Sequence, residues 1–469
     1  MADRSLTARE KALKVNLDPA RYGTFAEIGA GQEVVRWFFQ AGAAAGTIAK
    51  SISAYDMKVS DVLYGHCKRY VCRERLEAML EIEQSLNTSV LHEQRGDKTA
   101  FFSFADTVSA RNFHGTNECH GWMGIKFQAE PGQPNSQIII HVRMLDLQNP
   151  LQQEALGIVG VNLVYGACFL AAEPDRLIES LLDGLSIDRI EIDMIEFSGT
   201  AFTAVDNRVM SLRLVQLGLT GAAMFAANGS VLQPSEVLRK KSILLQRGRF
   251  RPVTHVNLDM LDAALEKFGR EEGVVAADVV PLMEITMRNL LSEGEIDLND
   301  FVSRAEVLST TGHTVLISDF YEYYRLRAYL SRYTSGRIAL TMGAGSLQEL
   351  FDESFHVHLS GGILESFGRL FRNDLKIYVY PLMDRGTGHL TTVENLPIPS
   401  PLSQLYAYLV SRRCIEPLDN IDPRYLRIHS HEVLEMIRHG DAGWEDLVPE
   451  SVSNAIKTRR LFGYRTVGN

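Results

Sequence analysis

Arginines, carboxylates and glycines recur in this chain just after short apolar runs, where side chains and backbone amides can hold an anion. Glu196 and Ser198 close the run IEIDMI, and Asp206, Asn207, Arg208 and Ser211 open the stretch that follows it. Arg247, Arg249 and Arg251 follow SILLQ, Asp319 and Tyr321 follow TVLIS, and Gly343, Gly345 and Ser346 follow IALTM. In an open parallel sheet, ligands bind outside the carboxyl ends of the strands, because crossover connections leave a crevice there and helix amino termini point into it. These groups therefore predict a site for a phosphorylated small molecule. The three arginines alternate along LLQRGRFRPVT, which on an extended segment puts them on one side, suited to clamping a phosphate. Asp319 or Glu196 would manage protons or a metal. Each feature also has a plainer reading: arginines as solvated or ion-paired surface groups, Asp319 as the cap of a helix beginning at Tyr321, and GAGSLQE and HLSGGILE as tight turns.

Other chemical groupings meet no complete motif. NFHGTNECHGWMG gathers His114, Glu118, Cys119 and His120, and His141 and Arg143 share a strand face, but zinc sites need about four ligands at recognised spacings. Neither C-x-x-C nor H-E-x-x-H is present. The pairs Cys67 and Cys72, His356 and His358, and His429 and His431 are read as packing or surface residues. In GAAAGTIAKS, Lys50 stands four residues after Gly46, whereas a phosphate loop places Lys directly after its second glycine. No hydrolase elbow or kinase signature set occurs.

The elements that would carry these groups change character along the chain. Residues 32–87 carry apolar residues at helical spacing, and three strand-like runs, FFSFADTV, GWMGIKFQ and QIIIHVRML, predict an antiparallel sheet. A buried helix over QQEALGIVGVNLVYGACFLA and an amphipathic one over PDRLIESLLDGL follow. From IEIDMIEF onward, short apolar runs alternate with helical periods: AAMFA, SILLQ, TVLIS, IALTM and KIYVY, with two helical stretches between 279 and 308. That is the cadence of βαβ units, so the expected class is α/β, with a doubly wound, mostly parallel sheet after an α+β domain. The expected boundaries are 1–172 for the α+β domain, 173–400 for the Rossmann-like domain and 401–469 for a helical extension beyond PIPSP.

A chain of 469 residues with 45% hydrophobic and 23% charged residues has the usage of an ordinary multi-domain globule. A net charge of -10 repels polyanions, which excludes nucleic acid as the main partner but not a nucleotide in a local arginine site. Five scattered cysteines argue for a reducing compartment, and the start MADRSLTAREKALKVN lacks the apolar core of a secretory signal. A cytoplasmic protein without a membrane partner is expected.

The segments RYGTFAEIGAGQE, NECHGWMGIKFQ, QQEALGIVGVNLVYGACF, RIEIDMIEFSG, VDNRVMSLRLVQLGL and RGRFRPVT closely resemble those of one large bacterial family, along the whole chain. Its members carry two labels, nicotinate or nicotinamide mononucleotide adenylyltransferase and TonB-dependent receptor. The second implies a secreted barrel with a signal peptide and many strands of about ten residues, which this sequence lacks. The first implies an H-x-G-H-like pair and a Ser/Thr-rich segment ending in Arg; HGTNECHG has another spacing and SRYTSGR is a loose echo. What the resemblance implies is a nucleotide as ligand, with no particular cofactor. The leading expectation is a cytosolic nucleotide- or phosphate-binding protein, with or without catalysis. Against it stand an oligomeric scaffold or regulator, using a small-residue helix at 41–53 and a Tyr-rich helix at 321–333, and a redox or metal protein using Cys119 and His120.

Overall fold

A computed structural model describes residues 5–292, 295–384 and 386–465; the first four residues of the start read above lie outside them. The chain forms two compact units, 1–223 and 224–469.

The first unit holds strands β1 (Arg21–Gly29), β2 (Ile48–Ala54), β3 (Ala100–Ser109), β4 (His120–Gln128), β5 (Asn135–Met144) and β6 (Ile190–Gly199). Its helices are α1 (Ala8–Asn16), α2 (Val34–Ala41), α3 (Met57–Tyr64), α4 (Arg73–Arg95), α5 (Asn149–Phe169), α6 (Pro174–Ser180) and α7 (Asn207–Gln216). The strands lie in the order β2-β1-β3-β4-β5-β6, parallel across β1, β2 and β3 and antiparallel from there on. Because α5 is apolar all round, it is buried along almost its whole length, sharing one core with Phe25, Phe102, Phe104, Ile125 and Ile140. Leu76 and Leu80 of α4 sit over Gly124.

Two expectations are corrected here. Residues 48–54, read as helix, form the edge strand β2, whose alternating exposure is that of a strand with one face solvated. The small residues at 44–46 form a short 3₁₀ turn, so the proposed contact helix at 41–53 does not exist. IEIDMIEF, read as the first strand of the parallel sheet, is β6, antiparallel to β5 in the first sheet. The unit boundary accordingly falls near 223 where a boundary near 172 was expected.

Close backbone approach governs the middle of β1. A Cβ at Gly23 would stand 2.2 Å from the Phe102 carbonyl oxygen and 2.6 Å from its ring. Gly23→Ala is therefore expected to destabilise the first unit by about 1–3 kcal/mol through overpacking, read as a lower urea midpoint by Trp122 fluorescence; an unchanged midpoint would show that Phe102 yields freely.

The second unit begins within β7 (Ala222–Phe225), followed by β8 (Val231–Leu232), β9 (Ser242–Arg247), β10 (Val279–Thr286), the small pair β11 (Leu291–Ser292) and β12 (Glu295–Ile296), and β13 (Thr314–Ser318). Then come β14 (Ile338–Gly343), β15 (Lys376–Tyr380), the small pair β16 (Leu382–Met383) and β17 (Leu390–Thr391), and β18 (Ile415–Pro417). Helices α8 (Pro234–Leu238), α9 (His255–Phe268), α10 (Met287–Leu290), α11 (Leu298–Ser309), α12 (Tyr323–Tyr333), α13 (Ala344–Leu350) and α14 (Gly362–Leu370) connect them, and α15 (Ser403–Ser411), α16 (Ser430–His439) and α17 (Glu450–Arg459) follow.

The main sheet runs β18-β15-β14-β9-β10-β13-β7-β8. Its six strands from β18 to β13 are mutually parallel, as the α/β expectation requires. SILLQ and IALTM are buried on both faces, the usual state of strands under helices on two sides. Two expectations fail in this unit. Residues 279–286, expected to be helical, form the interior strand β10. Pro281 is tolerated there because pairing with β13 starts only at Leu282, so its missing N–H faces no second neighbour. The segment after 400, expected as a helical extension, returns β18 to the sheet edge beside β15. No helix of the described residues is long and apolar enough to cross a membrane.

Candidate functional site

The chain leaves β9 toward β10 on one side and leaves β14 toward β15 on the other, so the pair β9 and β14 is the point where the winding reverses. A crevice outside the carboxyl ends follows from that reversal. A cavity of about 400 Å³ lies there, within the size of small-molecule sites. Arg247, Gly248 and Arg249 come from the end of β9, Thr286, Arg288 and Asn289 from the end of β10, and Ser346 and Glu349 from α13 after β14. Tyr321, Tyr323, Tyr324 and Phe355 supply aromatic walls.

Arg247, expected as a phosphate clamp, is already occupied. Its Nε and Nη2 donate to the Glu284 carboxylate at 2.8 and 3.0 Å, Nη2 also to the Phe320 carbonyl at 2.8 Å and Nη1 to the Tyr321 carbonyl at 2.7 Å. Glu284 is fully buried and takes a further bond from the Ser318 hydroxyl at 2.5 Å. Burial works against the Arg247 charge, but Glu284, with Tyr323 and Glu322, more than offsets it and holds the guanidinium above its ordinary pKa. Its plane lies 4.2 Å from the centre of the Tyr323 ring, whose hydroxyl is pushed up by burial, with Arg247 opposing. Arg247 thus fastens the 320–321 loop to the sheet and forms the cavity floor.

Arg249 and Arg288 are exposed on the cavity wall, and no carboxylate pairs with either among the described residues. Arg288 lies 4.2 Å over the Tyr321 ring, which leaves its N–H edges open to an anion. His356 is buried, and its Nε2 lies 3.0 Å from the Leu350 carbonyl oxygen, an arrangement that requires the proton on Nε2. Nδ1 is buried without a partner among the described residues. Glu322 lies 3.2 Å from His358 Nε2.

The other expected site residues fall elsewhere. Arg251 turns to Asp300 at 2.5 Å and does not line the cavity. Asp319 is exposed and outside the lining, and the helix cap falls on Glu322 rather than on Asp319. Gly343 and Gly345 end β14 and open α13, but neither lines the cavity and neither needs to be glycine: a Cβ meets nothing within 4 Å at Gly343 and only Leu382, at 3.7 Å, at Gly345. Glu196 belongs to the first unit, in a double hydrogen bond with Arg73. Asp206 caps α7 through the Arg208 amide at 2.9 Å and pairs with the Arg208 side chain, and Asn207 brackets Phe197 at 2.8 and 3.0 Å. These three shape a turn of the first unit. Thr286, Arg288 and Asn289 were missed because β10 was not recognised as a strand; the apolar run of VVPLMEIT was the available signal.

In the first unit, His120 is joined to His141 rather than to Cys119. His120 Nδ1 lies 3.0 Å from His141 Nε2, and His141 Nδ1 lies 2.6 Å from the fully buried Asp193. Burial and the neighbouring His141 hold His120 down at about 4, so it is neutral at ordinary pH. Among the described residues the Cys119 thiol hydrogen-bonds only to the Asn117 carbonyl, at 3.8 Å.

No family model matches the chain, and no curated protein matches it. Among solved structures it is similar to the competence/damage inducible protein CihA from Agrobacterium tumefaciens, with 13% identity, TM-score 0.25, and coverage of 35% of this chain and 99% of that one. It is also similar to a competence-damaged protein (CinA) superfamily protein from Enterobacter cloacae, with 14% identity, TM-score 0.24, and coverage of 39% and 95%. A competence or damage-inducible protein from Enterobacter asburiae matches with 15% identity, TM-score 0.22, and coverage of 39% and 99%. The α/β class rests on the two sheets themselves rather than on these partial likenesses.

Proposed function

We propose that the cavity at the β9 and β14 reversal binds a phosphorylated small molecule, with a nucleotide as the best-fitting class. The observation that carries this reading is the pair Arg249 and Arg288, two guanidinium groups lining the same cavity without carboxylate partners among the described residues. A dianionic phosphate would satisfy both through charge-assisted bonds, and the Thr286 and Ser346 hydroxyls in the same lining are further donors. The tyrosine wall suits a planar base. The family resemblance, with its mononucleotide adenylyltransferase label, points to the same ligand class. The protein would act in a reducing, cytoplasmic setting.

Thermal unfolding in the presence of nucleoside phosphates, sugar phosphates and inorganic phosphate tests the reading, since a ligand bound only by the folded state raises the midpoint. A nucleotide is expected to give the largest rise. Arg249→Ala and Arg288→Ala are each expected to weaken its binding about 10- to 100-fold, the worth of about 1.5–3 kcal/mol for a bond to a charged group. No response to any of these compounds, or a response that both substitutions leave unchanged, would refute the assignment.

A further inference from the structure

We propose that Cys67, Cys72 and Glu74, at the start of α4, form a binding site for a divalent transition-metal ion of the zinc class. This site lies in the first unit and is independent of the phosphate cavity. Cys67 Sγ lies 3.3 Å from Cys72 Sγ and 3.3 Å from Glu74 Oε2, and the three donor atoms all lie within 4.8 Å of one another.

That separation is far too long for a disulfide, whose sulfurs stand about 2.05 Å apart. It is close to what a metal needs. Two thiolates at the zinc–sulfur distance of about 2.3 Å stand about 3.8 Å apart across a tetrahedral angle, so closure requires an opening of only about 0.5 Å. Two sulfurs and a carboxylate are the donor set zinc prefers over calcium or magnesium, which take oxygen ligands.

The surroundings leave these acidic groups without a cation. The nearby Arg75 is committed to the Ser60 carbonyl at 3.2 Å and to Asp61 at 2.5 Å. Arg73 is committed to Glu77 and Glu196. Among the described residues Glu74 has no ion pair. The framework is in place: the Cys72 sulfur caps α4 by accepting from the Arg75 amide at 3.4 Å. Cys67 is buried, Cys72 half-buried and Glu74 exposed, so the group is reachable from solvent. Binding would release the two thiol protons to solvent, and three protein ligands leave a fourth position for water or another ligand.

The test uses the full, tag-free chain purified under reducing conditions without chelator. One zinc per chain is expected by elemental analysis and native mass spectrometry. Cobalt(II) is expected to give visible d–d bands and near-ultraviolet thiolate-to-metal charge-transfer bands of two-thiolate strength on the unaltered chain. Cys67→Ser or Cys72→Ser should abolish the charge-transfer bands of the missing thiolate, and Glu74→Gln should weaken binding by about tenfold or more. The proposal is overturned if zinc and cobalt fail to bind at equimolar concentration, if the bands survive both serine substitutions, or if the isolated chain carries a Cys67–Cys72 disulfide instead.

Discussion

Replacing Glu284 by leucine is expected to destabilise the second unit by about 3–5 kcal/mol, the usual cost of removing one partner from a buried ion pair. Glu284 is fully buried in the middle of the sheet and holds both Arg247 and Ser318. Its loss removes the hydrogen-bonded carboxylate and leaves the guanidinium hydrogen-bonded to the Phe320 and Tyr321 carbonyls, which cannot neutralise its charge. Urea unfolding followed by Trp444, the one tryptophan of residues 224–469, reads the effect. The double variant Arg247→Leu, Glu284→Leu is expected to recover much of the loss, because no buried charge remains. A single-variant change below about 1 kcal/mol would mean that water reaches Arg247, and the cavity floor would not be the rigid latch described above.

The second large effect is on the pH dependence of the first unit. Glu27 and Asp106 are register partners on β1 and β3, with Glu27 2% and Asp106 0% exposed. Burial pushes the Glu27 carboxyl up to about 8, against the amide of Val34, which donates to it at 2.9 Å. Burial also pushes Asp106 well above the carboxylate range, and the charge of Glu27 adds to it. Both folded-state values lie above those of the unfolded chain, so the native state holds protons that the unfolded chain has released. Stability is therefore expected to be higher in mild acid and to fall as pH rises from about 4.5 to about 8, by on the order of a few kcal/mol. Asp106→Asn removes one of the two competing charges and is expected to flatten this slope and raise stability at pH 8. Denaturation midpoints across that window decide the matter; a wild-type slope of opposite sign would show that the pair is ionised in the folded chain.

Much of the second sheet was legible because its strands are short apolar runs punctuated by helices, and Arg247, Arg249 and Ser346 were placed at the crevice by that pattern alone. What was not legible has particular causes. β6 is buried on both faces, with Glu191 and Asp193 inside alongside its apolar residues, and a doubly buried antiparallel strand reads like a parallel one. That drew Glu196, Asp206, Asn207 and Arg208 toward a site they do not join. β10 was hidden by Pro281, and with it went Thr286, Arg288 and Asn289. The partnership of Arg247 with Glu284 depends on register between β9 and β10, which spacing along one strand cannot reveal. Glu74 escaped notice beside Cys67 and Cys72 because it reaches the sulfurs only once α4 turns the chain.

The two sheets differ in how far apart along the chain their neighbours lie. In the first, every strand from β3 to β6 pairs with its immediate predecessor or successor, so those hydrogen bonds can close as each segment leaves the ribosome. In the second, β9 waits for β14, which starts at Ile338, before its other edge is covered. Loop-closure entropy makes such long-range pairing slow. During synthesis the SILLQ strand is thus a sticky open edge for as long as the intervening segment takes to emerge, which makes it a stretch that a holding chaperone would meet.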